Sequence, residues 1–193
     1  MKNKYKLLFF LLLGINGAII ISILILITIP AKEERIDSEK KSMHEEAVHL
    51  PIQTNKADLN EVINHYLDKE GLTGPIHYEV KLDDDVELYG TLRVFSKNIE
   101  MKLTFEPEAL ENGDLILRQK SIAIGELNLP VSYVLKFIQD RYHLPKWVKI
   151  QPNDKIIYVS MQNMELKSDI KLLVNTFDLQ KDDISFTLLV PTK

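Results

Sequence analysis

Residues 7–29, LLFFLLLGINGAIIISILILITI, carry no charged side chain. No other stretch limits the fold so strongly. At 1.5 Å per residue, about 23 residues make roughly 34 Å of helix, enough to cross a hydrocarbon core of about 30 Å. Lys2, Lys4 and Lys6 precede the run, whereas Lys32, Glu33, Glu34 and Arg35 follow it. The positive excess on the N-terminal side predicts that this end stays in the cytoplasm and the rest faces outward. A cleaved signal peptide would have a shorter apolar region and a small-x-small site. This run closes instead on Thr28-Ile29-Pro30-Ala31, a poor cleavage site. The expected layout is a cytoplasmic tail at 1–6, an uncleaved anchor at 7–29, a charged stalk at 30–54 and an extracytoplasmic domain at 55–193. Fully extended, the stalk reaches at most about 80 Å, and as a flexible coil it averages nearer 27 Å, so the domain stays close to the bilayer.

The chain has no cysteine. That excludes disulfides, thiolate metal sites, a cysteine nucleophile and a lipidated cysteine anchor. An outward-facing domain without disulfides has to be held by its core, and 55–193 is long enough to build one. Net charge is −4, with basic and acidic residues interspersed. No clustered positive face of the kind that binds nucleic acid is visible, so no nucleic-acid partner is expected.

Along the domain the hydrophobic period changes. Residues 56–70 place Leu59, Val62, Ile63, Tyr66 and Leu67 on one stripe at helical spacing, with Asn55 or Asp58 as caps and Gly71 as the stop. From Val86 the period is two. Ile99, Met101, Leu103 and Phe105 face one way, and Glu100, Lys102, Thr104 and Glu106 the other, which predicts a half-buried antiparallel strand. Asn112-Gly113-Asp114 turns the chain into a further strand. Pro130 opens a second helix over 131–142, whose stripe of Val131, Val134, Leu135, Ile138 and Tyr142 is widened by Tyr133 and Phe137. Further strands follow Trp147, the only tryptophan. Helices segregated from antiparallel strands predict an α+β domain: a curved antiparallel sheet of about six or seven strands packed on two helices.

Motifs that carry chemistry are missing. There is no GxSxG, and the Ser-x-x-Lys pairs at Ser38 and Ser168 lack the companion elements of a serine–lysine site. No HxxxH or HxH spacing occurs among the histidines, which argues against zinc. Asp83-Asp84-Asp85 lacks the alternating ligands and central glycine of a calcium loop and reads as a polar turn. Neither a Walker loop nor GxGxxG is present. Catalytic residues, metal ligands and cofactors are therefore not expected, and the chain reads as a non-enzyme.

The segments YGTLRVF (89–95), FEPEALENGDLILRQKSIAIGELNLPVSYVLKFI (105–138) and LPKWVKIQP (144–152) resemble the YpmS family of small membrane-anchored proteins of Gram-positive bacteria. The likeness runs over nearly the whole chain. It implies an uncleaved anchor with an extracytoplasmic domain, and it brings no catalytic or metal-binding residue to carry over.

The function expected is that of a binding module at the cell envelope. The apolar arc of 131–142 is wider than the roughly 100° that one packing face needs. Tyr133 and Phe137 then require a second partner, and a lipid or other elongated apolar ligand would serve. The candidate lining is Tyr66, Tyr133, Val134, Phe137, Ile138, Tyr142 and Trp147. A curved sheet around helices beside a bilayer also resembles tubular lipid-binding domains, by fold analogy alone. The alternative is a scaffold that holds an envelope protein near the membrane through the same aromatics. For Trp147 the plain reading is a plug sealing the end of the core.

Overall fold

A computed structural model of the chain describes residues 2–28, 47–69, 78–94, 97–125, 129–141, 144–166 and 169–192. The expected stop at Gly71 and the candidate ligand residue Tyr142 lie outside the described residues. The chain divides into two compact units, Met1–Lys32 and Glu33–Lys193.

The first unit is helix α1, Lys2–Thr28. Six consecutive residues, Leu8 to Leu13, are each 57–66% exposed. Six residues cover more than one full turn, so α1 is apolar all round rather than amphipathic. Asn16 directs its amide to the Leu12 carbonyl at 2.9 Å, which satisfies a polar side chain inside the helix. Counted over the described residues alone, no helix is long and apolar enough to cross a membrane. α1 is 27 residues long, and its sequence is uncharged from Leu7 to Thr28.

The second unit is α+β. Its elements are β1 (Ala47–Thr54), α2 (Lys56–Lys69), β2 (Tyr78–Leu82), β3 (Val86–Val94), β4 (Lys97–Ala109), β5 (Leu115–Ile124), α3 (Val131–Arg141), β6 (Val148–Gln151), β7 (Ile156–Val159), β8 (Lys171–Asp178) and β9 (Asp183–Pro191). A 3-10 turn covers Met161–Asn163. The strands form two antiparallel sheets, ordered β1-β9-β8 and β2-β3-β4-β5-β7-β6. The expectation of one sheet is thus corrected. The reason lies at Ser160: there the chain leaves β7 for the 3-10 turn, and β8 pairs with β9 instead of continuing the larger sheet. A second correction concerns the stalk. Residues 47–54, expected to be the end of the charged stalk, pair in full with β9, from Ala47 opposite Pro191 to Thr54 opposite Ile184.

Local chemistry accounts for the elements. Asn55 caps α2: its Oδ1 accepts the Asp58 N–H at 2.9 Å, and its Nδ2 reaches back to Asp58 Oδ2 at 2.9 Å. Leu59 and Ile63 pack on the core, but Val62 is 62% exposed, so the buried stripe is narrower than its spacing indicated. On β4 the alternation holds, with Met101, Leu103 and Phe105 buried and Glu100 and Glu106 exposed. Thr104, on the polar face, is nevertheless buried. Both sheets and α3 share one core: Leu103, Phe105, Leu115, Val134, Leu135, Ile150, Met161, Val174, Ile184 and Phe186 form a single cluster.

Candidate functional site

Helix α3 starts after Pro130, whose carbonyl accepts the N–H groups of Tyr133 at 3.0 Å and Val134 at 3.2 Å. Proline there costs nothing, since its missing N–H would lack an intrahelical partner anyway. Val134, Leu135 and Ile138 turn into the core and are 3%, 0% and 8% exposed, whereas Tyr133 is 46% and Phe137 38% exposed. The last two are four apart and so lie on one face. The candidate residues therefore separate. Val134 and Ile138 are core. Tyr133 and Phe137 form an aromatic pair open to whatever surrounds the domain. Tyr66 and Trp147 are half-buried on α2 and just ahead of β6. The Trp147 carbonyl accepts the Ser160 N–H at 2.8 Å, which ties the start of β6 to the end of β7.

A buried polar centre was not anticipated. Asp114, Tyr158 and Ser160 are 2%, 5% and 7% exposed. Tyr158 donates its hydroxyl to Asp114 Oδ2. Asn112 Nδ2 donates to the same oxygen at 2.9 Å, while the Ser160 hydroxyl and the Gln162 N–H approach Oδ1 at 3.5 Å. Gln162 Nε2 closes on the Asn112 carbonyl at 2.7 Å. Burial first, and then the hydrogen bond to Asp114, push the Tyr158 phenol up to about 12. Among the described residues no buried side-chain polar atom is left without a partner. The centre therefore works as a lock that fixes the β4–β5 turn against β7 and the 3-10 turn. In the sequence, Asn112-Gly113-Asp114 signals only a turn; three partners of Asp114, namely Tyr158, Ser160 and Gln162, lie more than 40 residues on.

A second polar cluster lies on the larger sheet. Glu87 pairs with Lys102 at 2.7 Å and accepts the Tyr89 hydroxyl at 2.5 Å, and Lys102 lies 5.2 Å from the Tyr89 ring centroid. The Lys102 contact, followed by that of Tyr89, holds the Glu87 carboxyl below its usual range. Register explains the grouping, since Tyr89 is opposite Lys102 and Glu87 is opposite Thr104. Among the described residues no three His, Asp or Glu side chains come together as a metal site.

Comparison with known proteins settles the family. Residues 3–190 match the model described as an uncharacterized protein conserved in bacteria, DUF2140. The chain belongs to the DUF2140 family. It is also 31% identical over 189 residues to the uncharacterized protein YpmS of Bacillus subtilis (strain 168), covering 98% of each chain. The resemblance read from the sequence therefore holds. The DUF2140 match takes in α1, α2, α3 and all nine strands apart from terminal residues. No solved structure matches the chain.

Proposed function

We propose that this chain is a single-pass membrane protein, with its N-terminus in the cytoplasm and its α+β unit outside. In this reading the unit binds a lipid or other elongated apolar ligand without catalysing a reaction. The anchoring part is supported by α1, which is 27 residues long and apolar all round; such a helix needs a hydrocarbon environment or a deep protein core.

The ligand-binding part is carried by one observation. Tyr133 and Phe137 stand 46% and 38% exposed on a helix whose opposite face is sealed in the core. Large aromatics held on a rigid helix, beside but not inside a core, suit an apolar ligand or a partner surface. The protein would be purified from membranes of its native host, extracted with organic solvent and analysed by mass spectrometry. A lipid at stoichiometric yield is expected, lost in the Tyr133→Ser/Phe137→Ser variant at unchanged melting temperature. Equal lipid yield from variant and parent would remove this site. A protein crosslinked through position 137, with no lipid retained, would replace the ligand by an envelope protein partner.

A further inference from the structure

Asparagine followed by glycine occurs twice in the chain, at Asn16-Gly17 and Asn112-Gly113. The pair is chemically labile, because the glycine backbone nitrogen can attack the asparagine side-chain carbonyl. Glycine, with no Cβ and a freely turning backbone, obstructs that attack least. Asn16-Gly17 lies inside α1, where the backbone is helical and the neighbours are apolar. Asn112-Gly113 lies in the β4–β5 turn at the rim of the buried polar centre, with Asn112 half-buried and Gly113 buried.

In the folded chain the groups that the attack must move are engaged. The Gly113 N–H, whose proton has to leave, is donated to the Leu110 carbonyl at 2.9 Å, and the Gly113 carbonyl accepts the Val174 N–H at 2.8 Å. The Asn112 carbonyl accepts a hydrogen bond from Gln162 Nε2 at 2.7 Å. The Asn112 side chain is held at both ends. Its Oδ1 accepts the Asp114 N–H at 3.1 Å, and its Nδ2 donates to Asp114 Oδ2 at 2.9 Å and to the Tyr158 hydroxyl at 3.4 Å. Closing a ring between the Gly113 nitrogen and Asn112 Cγ turns the side chain and the peptide together, so these bonds have to break first.

We propose that Asn112 is a deamidation site latched by the Asp114 centre: it reacts only when that centre opens, and its products keep the centre from closing again. In the first step the Gly113 nitrogen loses its proton to solvent hydroxide and bonds to Asn112 Cγ. The Cγ–Nδ2 bond breaks, the departing nitrogen takes up a proton from water, and ammonia leaves a succinimide behind. A water molecule then opens the ring at one carbonyl or the other, leaving aspartate or isoaspartate at 112. Aspartate puts a carboxylate where Nδ2 donated to Asp114 Oδ2, so like charges meet beside a side chain that is 2% exposed. Isoaspartate also loses the donor, and it routes the main chain through Cβ. That inserts an extra atom into a turn closed by the Leu110 N–H on the Asp114 carbonyl at 2.9 Å.

The full-length protein in detergent is incubated in warm, mildly alkaline buffer. The peptide that contains residue 112 is followed by mass spectrometry, and isoaspartate is counted by enzymatic methylation. The folded parent should stay unconverted over a period in which the urea-unfolded chain converts at 112. A reaction that needs local opening follows the population of the open state, so weakening the latch should speed it. Folded Asp114→Ala should convert about tenfold faster than the parent or more, and the milder Tyr158→Phe a few-fold faster.

Conversion of the folded parent as fast as in urea means that the fold does not hold the site, and absence of conversion in urea means that there is no site. Where Asp114→Ala fails to fold, the Tyr158→Phe rate decides. A folded variant that converts no faster than the parent removes the Asp114 centre as the latch. Asn112→Asp tests the product directly and should melt below the parent. Equal melting overturns the claim that the reaction prevents re-closure.

Discussion

Asn64 holds Val80 with both ends of its amide: Oδ1 accepts the Val80 N–H at 3.2 Å and Nδ2 donates to the Val80 carbonyl at 2.8 Å. One helical turn earlier, Asn60 repeats the arrangement on Leu82, at 2.7 and 3.0 Å. Four residues of helix advance about 6 Å and two residues of strand about 6.6 Å, so an i, i+4 pair on α2 matches an i, i+2 pair on β2. Two amides thus stand in for a missing strand. Asn60→Ala or Asn64→Ala should each cost about 1–2 kcal/mol, because two part-buried backbone groups lose their partners. Thermal melting would measure the cost, and faster amide exchange confined to Val80 and Leu82 would show its origin.

Asp114 is the hub of the buried centre. Asp114→Ala leaves the buried Tyr158 hydroxyl and the half-buried Asn112 amide without their acceptor. The expected loss is about 3 kcal/mol in urea denaturation, with Asp114→Asn in between because it keeps one acceptor oxygen. A loss below about 1 kcal/mol would mean the site rearranges and the lock is not a lock.

Alkaline pH should weaken the fold through Tyr158. Its phenol stands at about 12 in the folded chain, against about 10 when unfolded. Between those values the folded state keeps a proton that the unfolded state has released. This contribution is complete below about pH 10 and is lost as pH rises toward 12, on the order of 2 kcal/mol in all. Tyr158→Phe, compared with the parent across that window, should show a flatter fall in stability. Parallel curves would rule out Tyr158 as the titrating group.

Gly113 joins the two sheets. Its φ is +83°, and a Cβ there would lie 2.7 Å from Leu173 Cδ2 and 2.9 Å from Leu173 Cβ. Gly113→Ala therefore adds left-handed strain to a steric clash with β8, and should destabilise by about 2–3 kcal/mol or more. Pairing the substitution with Leu173→Ala should recover part of the loss, by removing the Cδ2 contact at 2.7 Å, but neither the Cβ contact at 2.9 Å, which alanine keeps, nor the backbone strain. No recovery would mean the side chain of Leu173 was not the obstacle.

Much of this was legible in one dimension. The alternation of Ile99 to Phe105 predicted the buried face of β4. The spacing of 56–70 and the proline at 130 predicted α2 and α3, and Asn55 is one of the two caps that the sequence offers for α2. These succeed because period, capping and turn chemistry act over a few residues. The exposure of Tyr133 and Phe137 also followed from counting, since an arc so wide cannot all face one sheet. Within the candidate lining, the split into core Val134 and Ile138 and open Tyr133 and Phe137 needed the packed structure.

By itself, then, the sequence determined the apolar run of α1, the α+β class, the family and the local elements, all written in neighbouring side chains. Tertiary structure alone decided that the strands divide into two sheets, that residues 47–54 belong to one of them, and that Asp114 finds Tyr158. Each of those facts joins residues far apart in the chain. Strand pairing is set by backbone hydrogen bonds that look alike in every strand, so only the complete fold selects which edges meet.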